Sequence, residues 1–234
     1  EEIGRWYHGL ADGRYAMTPA LEARLAELTD DAMTLEEKLR SIHRWIAQDV
    51  RYVSLSLGIG GYQPRMPAEV YETMSGDCKD KATLFITLAR ALGTGAYPVL
   101  TGTGLVDAAV PSLHQFDHAI AAVDPGTGEL MFVDLTAAVV PWGHLPGGLH
   151  GGHGLVVRDD DTELIRFDDP PAEESRLVSR VVGSLDEEGN FRGRYEEEGT
   201  GLMQYQLRDA FSSEMSRQQR ANVAQAVASQ LFTN

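Results

Sequence analysis

Gly76-Asp77-Cys78-Lys79-Asp80-Lys81-Ala82-Thr83-Leu84 is the stretch on which the fold of this 234-residue chain turns. Ser75-Gly76 breaks the helical pattern before it, and Asp77 then stands where an N-cap carboxylate belongs. Leu84, Phe85, Leu88 and Leu92 follow at helical spacing, so the pattern predicts a helix from Cys78 to about Leu92, stopped by Gly93. Cys78 therefore lies in the first helical turn. Backbone N–H groups and the positive end of the helix dipole favour a thiolate at such a position. Lys79 and Lys81 add to that field while Asp77 and Asp80 oppose it, which leaves the helix terminus as the main influence. Cys78 is the only cysteine, so an internal disulfide framework and a cysteine-rich zinc site are both excluded.

Upstream of this stretch the chain reads as helices. Ile3, Trp6, Tyr7 and Leu10 recur at helical spacing, and Thr18-Pro19 caps and opens a second helix running to about Leu28. Thr34 and Glu37 form a capping box for a third, whose apolar face is Leu35, Leu39, Ile42 and Ile46 and which ends near Val50. Arg51–Leu57 reads as a short extended segment and Gly58-Ile59-Gly60-Gly61 as a flexible turn, with Pro67 opening a short helix. Downstream of Gly93 the period changes to that of strands, at Tyr97–Thr101, His118–Val123, Leu130–Asp134, Gly154–Val157 and Glu163–Phe167. Helices first and an antiparallel sheet after them make an α+β fold, with the Cys78 helix packed on the sheet.

A nucleophilic cysteine needs a base on another element, since neighbours along one helix cannot sit correctly. His118 opens a strand with polar residues before it and apolar ones after it. Asp134 is a carboxylate in the apolar run Phe132-Val133-Asp134-Leu135, where an unpaired charge is costly. The Asp124–Gly128 turn makes their strands antiparallel neighbours, so Asp134 can hold the second nitrogen of the His118 imidazole and set its tautomer. Taken singly, each of these residues could equally be a satisfied core group; their order and contexts together point to a Cys-His-Asp triad.

Tyr62-Gln63-Pro64-Arg65, the Gly76–Leu84 run, Asp117-His118 and Val133-Asp134 resemble the bacterial transglutaminase-like superfamily, a papain-like thiol fold. The likeness is to the branch with flanking β-rich domains, and it extends over about residues 1–157. The resemblance implies Cys78 as nucleophile, His118 as general acid/base and Asp134 as the orienting carboxylate. It implies no cofactor, and acyl transfer on an amide through a thioester, by a thiol peptidase, amidase or transglutaminase-like enzyme. Hydrolysis is the expected outcome, with a protein or peptide as substrate. The alternative is an inactive module of this fold that holds a protein partner. Oxyanion stabilisation would come from the Cys78 N–H and a side-chain donor. Gln63 is the candidate upstream of the nucleophile; it equally suits a cap on the turn before Pro64. The family likeness also implies an exported or envelope-associated bacterial protein.

Asp168-Asp169-Pro170-Pro171 reads as a linker, giving a domain at 1–169 and the start of a truncated β/α region at 170–234. That region reads as strands at Arg176–Leu185 and Phe191–Glu198 and helices at Gly201–Met215 and Arg217–Phe232. The chain starts inside a helical pattern, so both ends read as cuts in a longer protein, and membrane association is expected only through missing parts. The net charge is −15; residues 158–198 hold 14 acidic and 6 basic side chains, a net of −8, so over half the excess sits there. No basic face is offered to a nucleic acid, and the acidity reads as solubility. His144, His150 and His153 fall in a Gly-rich loop with no carboxylate between them, and Pro111 works against a helical His114/His118 pair, so no metal site is expected. Gly102-Thr103-Gly104 lacks the lysine and the context of a phosphate loop. Tyr52, Tyr71 and Trp142 read as core residues, and Arg40, Arg44 and Arg51 as a solvated face.

Overall fold

The structure, a computed structural model, describes residues 1–54, 57–102, 104, 106–159, 161–211 and 215–231. Parts of the stretches read above as Arg51–Leu57, Gly102–Gly104 and the two C-terminal helices lie outside the described residues. Two compact units are present, Glu1–Asp169 and Pro170–Asn234. No helix among the described residues is long and apolar enough to cross a membrane.

In the first unit, α1 (Glu2–Ala11) is followed by α2 (Pro19–Leu28) and α3 (Leu35–Asp49). Local chemistry sets their starts. Thr18 Oγ1 accepts the Leu21 N–H at 3.4 Å, with Pro19 as the first helical residue. Thr34 and Glu37 cap each other reciprocally, the Thr34 N–H donating to Glu37 Oε2 at 2.7 Å. Next come β1 (Arg51–Tyr52), a 3-10 turn at Gly58–Gly61, α4 (Pro67–Thr73), β2 (Ser75–Gly76) and α5 (Cys78–Ala91).

Within the Arg51–Leu57 segment, read from the sequence as extended, Arg51–Tyr52 pairs in parallel with Ser75–Gly76 among the described residues, and Leu57 is extended before the 3-10 turn that begins at Gly58. The β1–β2 pairing brings the chain from α3 beside the entrance to α5, with Tyr52 opposite Gly76. Gly76 is required there. A Cβ at this position would lie 2.7 Å from Asp80 Cβ and 3.3 Å from Val70 Cγ1.

The strands β3 (Ala96–Thr101), β4 (His118–Val123), β5 (Met131–Val133), β6 (His153–Val157) and β7 (Thr162–Arg166) form one antiparallel sheet in the order β5-β4-β3-β6-β7. Both of its faces are covered. Ala121, Val123 and Val133 join Phe85, Leu88 and the buried face of α3 in the main core. Val99, Ile120, Ala122 and Val156 join Leu145, Leu149 and Phe167 in a second cluster. Alternate residues of β4 thus enter different clusters, as the period of two requires. Tyr71 and Trp142 pack against the main core, as read from the sequence. Tyr52 does not: its exposure is 53%. The β1–β2 ladder lies at the surface, so an aromatic residue in it is not enclosed.

In the second unit, β8 (Leu177–Leu185) and β9 (Phe191–Gly199) pair as an antiparallel hairpin, with α6 (Leu202–Ala210) and α7 (Arg217–Leu231) after them.

Phe85 is fully buried in the core that seats α5 against the sheet. Phe85→Ala is expected to lower the unfolding free energy by about 3–5 kcal/mol, measured by urea denaturation. A loss below about 1 kcal/mol would mean that α5 is not held by this contact.

Candidate active site

Cys78 is the first residue of α5, and the turn before it is held by charged side chains, of which Asp77, Lys79 and Asp80 are buried and Arg65 is partly exposed. Asp77 Oδ1 accepts the Asp80 N–H and Asp80 Oδ2 accepts the Asp77 N–H, each at 3.2 Å. Asp80 also accepts the Arg65 backbone N–H at 2.9 Å and Arg65 Nε–H at 3.0 Å, while the Arg65 guanidinium donates to the Ser75 carbonyl. The Lys79 ammonium is paired with Asp77. Lys81 is fully buried and turns away from Cys78, donating to the Val50 carbonyl at 2.9 Å and the Ala47 carbonyl at 3.4 Å. Burial pulls its pKa down to about 8, against the attraction of Asp134. The two lysines read from the sequence as supporting a thiolate are therefore engaged elsewhere.

The residues predicted as partners of Cys78 converge on it. His118, the first residue of β4, sets Nε2 at 2.9 Å from Asp134 Oδ2 and lines the same cavity as Cys78. With Nε2 on the carboxylate, Nδ1 is the nitrogen left for sulfur. Asp134 follows directly on β5 and is only 5% exposed. Its other oxygen, Oδ1, accepts the Thr136 backbone N–H at 2.8 Å and the Thr136 hydroxyl at 2.7 Å, so the carboxylate is satisfied although buried. Burial alone would lower the His118 pKa, but hydrogen bonds and charge from Asp134 and Cys78 outweigh it and push it up to about 10. Burial would raise the Asp134 pKa, and the bonds to His118 and Thr136 bring it below the usual carboxylate value. The two shifts agree: Asp134 and His118 favour the carboxylate–imidazolium form.

A cavity of about 410 Å³ opens beside Cys78 and His118, lined among others by Trp6, Tyr7, Tyr62, Leu113, Phe116 and Asp117. Trp6 and Tyr62 meet edge to face at 5.4 Å between ring centres. Gln63 is not among the lining residues. Its Nε2 donates to the Leu10 carbonyl at 3.1 Å, tying the segment before α4 to the end of α1. Among the described residues no group of three or more His, Cys, Asp or Glu side chains is placed to hold a metal ion. His150 lies in the Gly-rich loop with its ring between the Leu145 and Asp168 carbonyls, at 3.0 and 2.9 Å.

Two residues at the site were not singled out from the sequence. His43 on α3 is buried and hydrogen-bonds the Asp134 main chain; burial pulls its pKa down to about 4, so the ring is neutral. A signal existed, since position 43 falls on the apolar face between Leu39 and Ile46. Tyr52 is the other: it lies opposite Gly76, two residues before Cys78, and burial together with the nearby charges of Cys78 and Asp77 raises its pKa. Nothing in its own segment marks it, because the pairing that brings it there joins β1 to a strand 24 residues later.

The profile of the transglutaminase-like superfamily matches residues 22–121, a span that includes Cys78 and His118 and stops short of Asp134. Comparison with curated proteins finds no match. Among solved structures, one from Parabacteroides distasonis described as a "putative protease" is 15% identical and superposes with a TM-score of 0.56, covering 78% of this chain and 37% of that one. A second, from Cytophaga hutchinsonii and described as a "putative cysteine protease", is 17% identical with a TM-score of 0.44, covering 85% of this chain and 56% of that one. The chain thus spans well under two thirds of either structure's length. At this identity the Parabacteroides structure shows a shared fold.

The His118 shift has a consequence for stability. Its pKa rises from an ordinary 6.5 to about 10 on folding, so the stabilisation is complete below 6.5 and is lost as pH climbs through about 10. The difference in urea midpoint between wild type and His118→Gln should therefore be largest below pH 6.5, shrink as pH rises from there and be gone above about 10. A difference that stays constant across that range would contradict the ion pair.

Proposed function

On the premise that this chain carries a transglutaminase-like core over residues 22–121, we propose that it performs cysteine-dependent acyl transfer on amide bonds, through a thioester on Cys78. The observation that supports this most directly is the His118 ring, which is held by the Asp134 carboxylate at 2.9 Å and lines the same cavity as Cys78. That is the geometry a thiolate–imidazolium nucleophile needs.

In this reading Cys78 Sγ attacks the amide carbonyl, and a C–S bond forms as the C=O π pair moves to oxygen. The backbone N–H at the start of α5 donates to that oxygen. The intermediate collapses with loss of the C–N bond, and the departing nitrogen takes the proton carried by His118 at Nδ1. Asp134 holds Nε2 throughout and keeps the ring in register. Water is the proposed acceptor: His118, now neutral, takes one of its protons as it attacks the thioester, and Cys78 is released. The aromatic and aliphatic lining of the adjacent cavity suits an acyl donor with an apolar side chain, as in a peptide.

Alkylation of Cys78 by iodoacetamide tests the nucleophile without any knowledge of the substrate. At neutral pH, His118→Ala should slow it about tenfold, because the imidazolium that holds the thiolate is gone. A cysteine that reacts slowly and equally with and without His118 would overturn the proposal. Hydrolysis of a fluorogenic peptide amide should disappear in Cys78→Ala and be unaffected by a chelator; inhibition by the chelator would point to metal-dependent chemistry instead.

A further inference from the structure

The cavity beside Cys78 holds one charge that no protein group answers. Of the charged residues lining it, Lys79 is taken by Asp77 and His118 by Asp134, whereas the Asp117 carboxylate has no hydrogen-bond or ion-pair partner among the described residues. Asp117 is placed by the sheet. It directly precedes β4, and its backbone N–H donates to the Thr101 carbonyl at 3.1 Å, next to the pairing of Thr101 with His118. Its side chain lies over Gly102, where a Cβ would stand 2.6 Å from Asp117 Oδ1. Tyr7 adds a second polar group without a partner. The residue is 3% exposed and lines the cavity, and its hydroxyl makes no hydrogen bond among the described residues. The buried side-chain atoms sealed away without a partner are Trp142 Nε1, His153 Nδ1 and Thr162 Oγ1 among the described residues. The Tyr7 oxygen is not one of them, so it opens on the cavity. Trp6, Tyr62 and Phe116 supply aromatic walls around these groups.

A carboxylate, a hydroxyl oxygen and aromatic faces around one space all attract a cation. The first acts by charge, the second by accepting an N–H, and the third through the ring quadrupole. An anion would meet repulsion from Asp117. Resting on the acyl-transfer reading, we infer that the acyl donor carries a protonated nitrogen beside its scissile amide and that Asp117 selects for it. Two features of a peptide supply such a nitrogen: a free α-ammonium, or a lysine or arginine side chain. In the second case the aliphatic stem lies along the aromatic walls while the charge reaches the carboxylate. An ammonium held in this way has no lone pair. The contact therefore recognises the donor and does not prepare an amine to attack the thioester.

Two thiosulfonates that modify the same sulfur read the charge preference without any substrate. With each rate taken relative to that of 2-mercaptoethanol, cationic 2-aminoethyl methanethiosulfonate should modify wild-type Cys78 about fivefold faster than neutral methyl methanethiosulfonate. Asp117→Asn should abolish the preference. Glu22→Gln should keep it, since that exposed carboxylate of α2 does not line the cavity. No preference in wild type would overturn the proposal. So would an equal loss in both variants, which would assign the effect to the net charge of the chain. Coumarin amides of lysine and norleucine, each with a free or an acetylated α-amine, then locate the nitrogen. The preferred cationic amide should exceed acetyl-norleucine amide about tenfold in kcat/KM, and Asp117→Asn should remove that advantage. Preference for lysine assigns the side chain, and preference for the free amine assigns the α-ammonium; equal hydrolysis of all the amides would overturn the proposal. His118→Ala keeps Asp117, so a slow Cys78 indifferent to His118 counts against the acyl-transfer reading alone, while the thiosulfonate ratios still judge Asp117. An unaltered urea midpoint in Asp117→Asn confirms that this isosteric change at an exposed residue leaves the fold intact.

Discussion

Asp77 and Asp80 each accept the other's backbone N–H, and the position of Cys78 rests on that exchange. The reciprocal cap satisfies two donors at the start of α5 and leaves Cys78 as the first residue with helical geometry. It also recruits its surroundings. Asp80 binds Arg65, which reaches the Ser75 carbonyl, and Asp77 binds Lys79. The chain before Cys78 is therefore held from both sides, next to the strand pairing of β1 with β2.

A cap of this kind carries an electrostatic cost that the neighbouring residues offset. Two carboxylates at a helix start favour the positive end of the dipole but would disfavour a thiolate between them. Lys79 and Arg65 neutralise them locally, so the field at Cys78 is left to the backbone and to His118. The second buried charge system, His118 with Asp134, is satisfied as fully: each Asp134 oxygen has a partner, and His43 fixes the main chain on which Asp134 sits. The core beneath is apolar and close-packed, with Phe85 and Leu88 in one cluster with residues of β4 and β5. Rigid support beneath the reacting groups is what preorganised donors need, since they act without reorganising at the moment of reaction.

Much of this was legible from residue types and spacing. The helix starting at Cys78 follows from Asp77, the apolar period of Leu84, Phe85 and Leu88, and the stop at Gly93. The antiparallel partnership of the His118 and Asp134 strands follows from the turn at Asp124–Gly128, whose backbone N–H groups the Asp124 carboxylate accepts. His43 was readable as a polar residue on the apolar face of α3. Tyr52 was not, and Gln63 was read differently from its place in the structure. For both, the deciding contact joins segments far apart in the chain: Gln63 meets Leu10 across 53 positions, and Tyr52 meets Gly76 through a ladder only two residues long. A ladder that short leaves no alternating pattern to read.

By itself the sequence determined the α+β order, the helix that presents Cys78 and the strands that carry His118 and Asp134, because capping, periodicity and turn chemistry act over a few residues. Only the tertiary structure decided which side chains surround the sulfur. Lys81 could have lain beside Cys78 and instead donates to carbonyls at the end of α3. Tyr52 looked like core and instead is exposed, paired opposite Gly76 in the turn before Cys78. Such choices are set by the packing of whole elements against one another, a balance of burial and hydrogen bonding over distant segments that no local stretch of residues encodes.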